Sequence, residues 1–327
     1  MISAVIKNGI EKMKKALLII LTVLIIIGSL VGTALFFYFD KLNKIDYIEI
    51  PEEEIEVSEG IEEKLSGYRN IVLFGLDSSK YKGRSDCIII FSLNQETNDV
   101  KMTSIYRDTY VQVPGHGYTK INHAYAYGGA ALAMSTINKN LDLDIKEFVT
   151  INFEIVKDVV DYVGGVEIKI SSEEVTQIPG ISKAGKYNLT GEQALAYGRI
   201  RKIDSDYKRT ERMRTVINAV FAKIKKMSLP QLNSFVDKLL PEVKTNIKST
   251  EITQMLTKVT SINIKESIGW PYEVQGKTID GIWYGVPKTL KSSVQKLHQE
   301  LFEDEDYETT ETVNNISSTI TKRTGVK

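Results

Sequence analysis

The sequence predicts an α/β sandwich, a central sheet covered by helices on both faces. Three observations carry that expectation. The runs at 70–74 (NIVLF) and 87–93 (CIIIFSL) are apolar without alternation, as strands buried on both faces are. Between 208 and 226, Met213, Val216, Ile217, Val220, Phe221 and Ile224 recur at helical spacing and form one apolar stripe. The two patterns alternate along the chain, which favours helices layered on a sheet over separate all-α and all-β parts.

Taken in order, the chain begins with a segment unlike the rest. Residues 16–39 (ALLIILTVLIIIGSLVGTALFFYF) carry no charge, and a helix of about 20 apolar residues spans a bilayer core. Lys7, Lys12, Lys14 and Lys15 precede it, opposed only by Glu11. Basic flanks stay inside, so residues 1–15 are expected in the cytoplasm and everything after Asp40 outside. Phe36, Phe37, Tyr38 and Phe39 lie where interfacial aromatics are expected. A buried core helix and cleavage near Ala34 are the alternatives. Residues 40–67 are acidic and poor in aromatics, and are expected to form a solvated stalk. Residues 303–327 are polar and Thr-rich, and are expected to be a disordered tail. The folded body is then 68–302.

Within the body, 100–105 alternates as a strand after a hairpin connection at 94–99. Residues 129–141 have helical composition. Residues 153–163 repeat apolar side chains at helical spacing and stop at Gly164-Gly165, and 166–170 (VEIKI) alternates as a strand. Thr190 and Gln193 fit a capping box for a helix over 192–197. Helices are also predicted near 231–240, 251–259 and 288–301.

Composition limits the function. Lys plus Arg and Asp plus Glu balance at 42 each, which argues against the strongly basic footprint of a nucleic-acid binder. One cysteine, Cys87, excludes an intrachain disulfide. About 42% apolar residues suffice for a substantial core.

Three charged clusters remain. Asp77 follows the first buried run, and Arg84-Ser-Asp86 opens the second. Carboxylates at neighbouring strand ends suit a hard cation such as Mg2+ or Mn2+, which shares its other ligands with water or phosphate; a loop Asp and an Arg84 ion pair are the plain alternative. Tyr106-Arg107-Asp108-Thr109 ends the third strand, and Lys120-Ile-Asn122-His123 follows a Gly-containing loop. Charged residues at strand ends beside such loops are common site positions in open sheets, and a surface ion pair is the alternative. The third cluster runs from Arg199 and Arg201 through Asp204, Asp206 and Arg209 to Arg212 and Arg214. At 100° per residue Arg209 falls on the apolar stripe, with Arg212 on its flank. Inward guanidiniums demand a carboxylate or another anion, and Arg suits bidentate phosphate recognition.

The ordered series NIVLFGLD, RSDCIIIFSLN, MTSIYRDTYVQVPG, KINHAYAYGG, INFEIVKDVVDYVGGVEI and LTGEQALAYGRIRKIDSDYKRTERMR resembles the LytR–CpsA–Psr family of cell-wall enzymes, collinearly over 70–226. The resemblance implies a three-layer α/β/α sandwich with a central mixed sheet, an apolar channel for a polyprenyl chain, a single membrane anchor and an outer domain. It implies a phosphotransferase that moves an anionic glycopolymer, of the teichoic acid or capsular type, from a polyprenyl-pyrophosphate carrier to peptidoglycan. By motif matching, Asp77 and Asp86 would be the metal ligands. Arg84, Arg107, Arg199, Arg201 and Arg209, with Arg212 beside them, would bind the pyrophosphate, and Lys120 and Asn122 lie near it. Arg107, Asp86 and Asp206 are the candidate catalytic residues. Cys87, Tyr106 and Met213 depart from the family's usual Thr, Pro and Gln; the last leaves one substrate hydrogen bond in doubt. A lipid-carrier binding module without catalysis, a pyrophosphatase and a membrane-linked transcription regulator are the alternatives, although no helix-turn-helix signature supports the last.

Overall fold

The computed structural model describes residues 46–327 except 79, 80 and 202. The expected cytoplasmic stretch and membrane-spanning segment lie outside the described residues. Among the described residues no helix is long and apolar enough to cross a membrane.

Short strand β1 (Asp46–Tyr47) and a single turn, α1 (Ile61–Lys64), lead into β2 (Tyr68–Leu76), β3 (Ser85–Asn94) and β4 (Asp99–Ile105). A hairpin, β5 (Tyr110–Val113) and β6 (Gly117–Lys120), precedes α2 (His123–Leu141). Next come β7 (Glu147–Asn152), α3 (Phe153–Tyr162), the hairpin β8 (Val166–Ile170) and β9 (Gly185–Leu189), then α4 (Gly191–Gly198), α5 (Asp206–Ile224) and α6 (Leu229–Leu239). The chain continues through β10 (Lys244–Thr245), α7 (Ser249–Lys258), β11 (Asn263–Trp270), the hairpin β12 (Val274–Ile279) and β13 (Ile282–Pro287), α8 (Leu290–Phe302) and α9 (Glu311–Thr324).

The main sheet has the order β1-β10-β7-β2-β3-β4-β11. It is mixed: β2 pairs antiparallel with β3 but parallel with β7, and β4 pairs antiparallel with β3 but parallel with β11. The two-residue side-chain period splits the sheet into two faces. Val72, Phe74, Leu76, Ile88 and Ile90 pack with α2, α8 and α9 on one. Leu73, Gly75, Cys87 and Ile151 lie on the other, against α3 and α5, the latter through Ile217. The mixed α/β sheet with helices on both faces is therefore as the sequence predicts, and the capping box at Thr190 and Gln193 forms.

Two expectations at the ends of the body are overturned. The region expected to be a solvated stalk belongs to the fold from Asp46 onward. Its acidic residues face water while Ile55, Ile61 and Leu65 are buried in the main core, and β1 extends the sheet. The expected disordered tail is also folded. Val313, Ile316 and Ile320 form a narrow stripe on α9 that buries against the core, enough to hold a helix whose other faces are polar. A buried clamp secures it. Asp142 accepts hydrogen bonds from Tyr307 Oη (3.0 Å), Thr310 N (2.8 Å) and Thr310 Oγ1 (2.6 Å). The Tyr307 ring stacks on His298 at 3.6 Å, and His298 Nε2 donates to the Leu141 carbonyl at 3.0 Å.

Several elements are not foreseen from the sequence. Helix α2 begins six residues before the expected 129, across a kink at Gly128 and Gly129, the latter at positive φ. Strand β11 (NIKESIGW) is a partly exposed edge strand without clean alternation. The β12–β13 turn carries a legible signal, since Asp280-Gly281 are both at positive φ, as a tight two-residue hairpin turn requires.

Candidate active site

The predicted charged clusters converge at one end of the sheet. Asp77 follows β2 directly. Between β2 and β3, Gly75 pairs with Cys87 and Leu76 with Ser85, so Asp86 in β3 is the extra residue of a β-bulge. Bulges re-aim side chains, and this one gives Asp86 cationic partners from three other segments. Arg107 Nη1, from the loop after β4, lies 2.8 Å from Asp86 Oδ1. Arg201 Nη2, from the loop after α4, lies 3.8 Å from Oδ2. Arg209 Nη2, from α5, donates to the Asp86 carbonyl at 3.2 Å. Arg209 is only 6% exposed, as its place on the apolar stripe predicts. Ser205 caps α5 just before it by accepting from Lys208 N.

Two side arrangements complete the edge. Arg199, the C-cap of α4, bonds Asp77 Oδ1 at 2.8 Å. Lys120 Nζ pairs with Asp108 Oδ1 at 2.8 Å, and Asp108 also faces Arg107 Nε at 3.4 Å. Asn122 is buried; its backbone N–H donates to the Arg107 carbonyl (3.2 Å), while its side-chain Oδ1 lacks a hydrogen-bond partner. Asn122 therefore helps fix the loop that presents Arg107. Arg84 is exposed just before β3, close enough to act electrostatically on His123. Asp206 opens α5.

Arg212 is the correction. It is not with the other arginines in the mouth of the site. Its Nε donates to Glu174 Oε1 at 2.6 Å, and both terminal nitrogens face the Asp204 carboxylate. Burial works against its charge, and the bonds to Asp204 and Glu174 outweigh that effect, leaving its pKa above the ordinary value. Arg212 is thus committed to carboxylates that tie α5 to the segment after β8, not offered to a substrate.

Sequence reasoning placed two residues in its charged clusters without giving them a role. Burial depresses the pKa of Arg214, which sits within electrostatic reach of Tyr106 and Cys87, and its Nη1 is buried without a hydrogen-bond partner. An underpaired buried guanidinium attracts an anion. Its position beside Met213 in an arginine-rich run is the signal that could have found it. His123, which follows Asn122, has its pKa lowered by burial and by the charges of Arg84 and Lys120, and accepts or donates at Nδ1 to Thr119 Oγ1 (2.9 Å). Its adjacency to the Lys120–Asn122 stretch is the corresponding signal.

The charged mouth opens against apolar space. Asp86, Arg199, Arg201 and Arg209 share a recess with Cys87, Phe153 and Met213. The last three also line a neighbouring cavity of about 110 Å³, otherwise walled by Leu73, Gly75, Ile151, Val156, Val159, Val216, Ile217 and Val220 without a polar lining. Glycine at 75 lets β2 and β3 pair closely beside that space, since a Cβ there would lie 2.8 Å from Cys87 Cβ. Burial pushes the Cys87 thiol up to about 12, keeping it a neutral packing group. A charged edge and a wholly apolar cavity therefore adjoin at this end of the sheet.

No cluster of three or more His, Cys, Asp or Glu side chains forms a closed metal site among the described residues. Asp77 and Asp86 supply carboxylate oxygens at adjacent strand ends beside Arg107, Arg199 and Arg201. That donor set fits a hard divalent cation that completes its shell with phosphate and water.

The chain matches the LytR_cpsA_psr family over residues 36–301. It belongs to that family. The family's polyisoprenyl-teichoic acid–peptidoglycan teichoic acid transferase TagT of Bacillus subtilis (strain 168) is 31% identical over 317 residues, covering 91% of this chain and 96% of the relative. The transferase of the same kind named TagU, from Bacillus mycoides (strain KBAB4), is 36% identical over 299 residues, covering 86% and 96%. Among solved structures, YwtF (TagT) with bound octaprenyl pyrophosphate lipid superposes with a TM-score of 0.59 at 27% identity, over 73% of this chain and 90% of that one.

Proposed function

We propose that this protein is a phosphotransferase that attaches an anionic glycopolymer, of the teichoic acid or capsular type, from a polyprenyl-pyrophosphate carrier to peptidoglycan. The observation that carries the reading is the junction of an arginine-lined mouth with a wholly apolar cavity, which matches a donor with a pyrophosphate head and an isoprenoid tail. The relatives' names and the lipid-bound family structure support the same donor and acceptor.

The acceptor hydroxyl attacks the phosphorus that carries the glycan. The bridging oxygen then leaves with polyprenyl phosphate, and the glycan phosphate becomes a phosphodiester. Arg107, Arg201 and Arg209, gathered around Asp86, neutralise the pyrophosphate and hold it in line. Arg199, Arg84 and Lys120 flank it, and Arg214 adds a buried positive charge. Phosphoryl transfer depends mainly on such positioning and electrostatics. Asp77 and Asp86 would hold Mg2+ or Mn2+, which supplies further charge neutralisation when bound. Asp86 is already engaged by two arginines, so Asp206, at the start of α5, is the candidate acceptor for the hydroxyl proton. The uncharged segment 16–39 would anchor the chain with residues 1–15 in the cytoplasm and the catalytic domain outside, within reach of a lipid-bound donor.

The test uses the purified full chain with a synthetic polyprenyl-pyrophosphate-linked sugar and short peptidoglycan oligomers, with and without Mg2+. Mass spectrometry is expected to find a phosphodiester adduct and released polyprenyl phosphate. Arg107→Ala should reduce the rate by about 100- to 1000-fold with an unchanged circular dichroism spectrum. Sugar phosphate without adduct would make the protein a pyrophosphatase. Lipid binding without product across several donors would make it a binding module.

A further inference from the structure

A second recess lies on the same end of the sheet. Strand β11 ends at Trp270, whose carbonyl accepts from Tyr106 N at 2.9 Å, one residue before Arg107. Just beyond Trp270 the chain borders a cavity of about 460 Å³ at the N-terminus of α8. Its cationic lining is Lys288, Lys296 and Lys327, against one acidic residue, Glu273. Thr289 and Ser292, whose hydroxyls bond each other at the N-cap, and Ser293 add hydroxyls at the start of the helix.

The charge pattern selects an anion. A helix N-terminus carries positive potential. The lysines are held by exposed contacts: Lys288 meets Glu273 at 3.1 Å, and Lys296 meets Glu300 at 3.7 Å and the Tyr272 ring at 4.5 Å, with all four ion-pair side chains at least 28% exposed. Such pairs contribute little and can rearrange around a ligand. An independent observation also points to one. Ser293 is 6% exposed and lines the recess, yet its Oγ has no hydrogen-bond partner. A buried hydroxyl without a partner is costly, and a ligand oxygen in this recess would satisfy it. Lysine ammoniums, serine hydroxyls and a helix N-terminus together are phosphate-binding chemistry, whereas a neutral sugar would have no use for the cations.

We propose that this recess is a second phosphate subsite, which holds a phosphate further along the anionic polymer whose carrier-linked end occupies the arginine mouth. The polymer assignment rests on the proposed function; the binding of phosphate does not. The Lys288–Lys296 recess then acts on long donors and is idle with short ones.

Calorimetry on the full chain in detergent, with a glycerol phosphate trimer as probe, tests the binding. In an Arg107→Ala/Arg201→Ala background, which weakens the mouth, the trimer should still bind. Adding Lys288→Gln/Lys296→Gln should weaken it by about tenfold, and Ser293→Ala should weaken it by a smaller factor, with melting temperatures showing that each variant is folded. In the otherwise wild-type protein the lysine pair should raise KM for a donor of several phosphate repeats and leave a single-repeat donor unchanged. Trimer binding that ignores the lysine changes, or that vanishes entirely with the mouth, overturns the proposal. Lysine-dependent binding of phosphatidylglycerol vesicles without trimer binding would assign the recess to a lipid headgroup and overturn the polymer reading. If transfer fails while lysine-dependent trimer binding persists, the proposed function falls and the phosphate site stands.

Discussion

The two faces of the sheet are built from adjacent residues of the same strands, yet they differ in kind. On the face toward α2, α8 and α9, Val72, Phe74, Leu76 and Ile90 are fully buried and the Phe74 ring packs 5.1 Å from that of Tyr125. On the face toward α3 and α5, the residues between them include Gly75 and Cys87, and a cavity opens against the arginines. One face is filled and stabilises the fold; the other leaves apolar area unfilled and holds guanidiniums near low-dielectric surroundings. Unfilled core is costly, so a cavity that adjoins a charged mouth points to a ligand.

The sharpest way to break this comparison is to empty the filled face. Phe74→Ala should cost about 3–5 kcal/mol in denaturant unfolding while the protein that remains folded keeps its turnover. Normal stability with lost transfer would reverse the assignment of the faces. Arg212 tests the division among the arginines. Arg212→Ala leaves Glu174 and Asp204 without their cation, and truncating one partner of a buried ion pair costs about 3–5 kcal/mol. The expected result is a lower melting temperature with unchanged donor KM; a KM effect at full stability would return Arg212 to the substrate site.

The filled face also carries a pH dependence. Burial lowers the His298 pKa from 6.5 to about 4. Its folded-state pKa lies below its unfolded one, so the unfolded chain takes up a proton first as pH falls. The stability held by neutral His298 is complete above pH 6.5 and drains away toward pH 4, by about 3 kcal/mol in all. Asp142 works in the opposite sense at the acid end, because burial raises its carboxyl above the usual 3.8. His298→Gln should flatten the unfolding free energy across that window; an unaltered pH profile would remove His298 from the account.

The smallest expected effect lies on the open face. Val159→Phe projects a ring into the cavity of about 110 Å³, so stability should change by under about 1.5 kcal/mol. Donor KM should rise by about tenfold for long polyprenyl chains and less for short ones. A KM indifferent to lipid length would take this cavity off the path of the tail.

Much of this contrast was legible in advance because it is local. Helical periodicity turned Arg209 inward, and the capping residues at Thr190 and Gln193 marked the start of α4. Motif order brought Asp77, Asp86 and Arg107 into one set. The tail was misjudged because composition was weighed over spacing: Val313, Ile316 and Ile320 form only a thin stripe, and Asp142, which receives Thr310 and Tyr307, lies some 168 and 165 residues away. Arg212 was assigned to the anion site although Asp204, eight residues away, offered it a carboxylate; only its second partner, Glu174, is distant, by 38 residues.

By itself, the sequence determined the alternation of strands and helices, the two-sided burial of β2 and β3, and the chemistry available at the strand ends. These follow from side-chain periods of 2 and 3.6 and from residue type. Only the tertiary structure decided which arginines gather at Asp86 and which is spent on carboxylates, and that Gly75 and Cys87 meet beside the space beneath α5. Those outcomes depend on strand register, on a one-residue bulge and on pairings across long stretches of chain, and no local pattern encodes them.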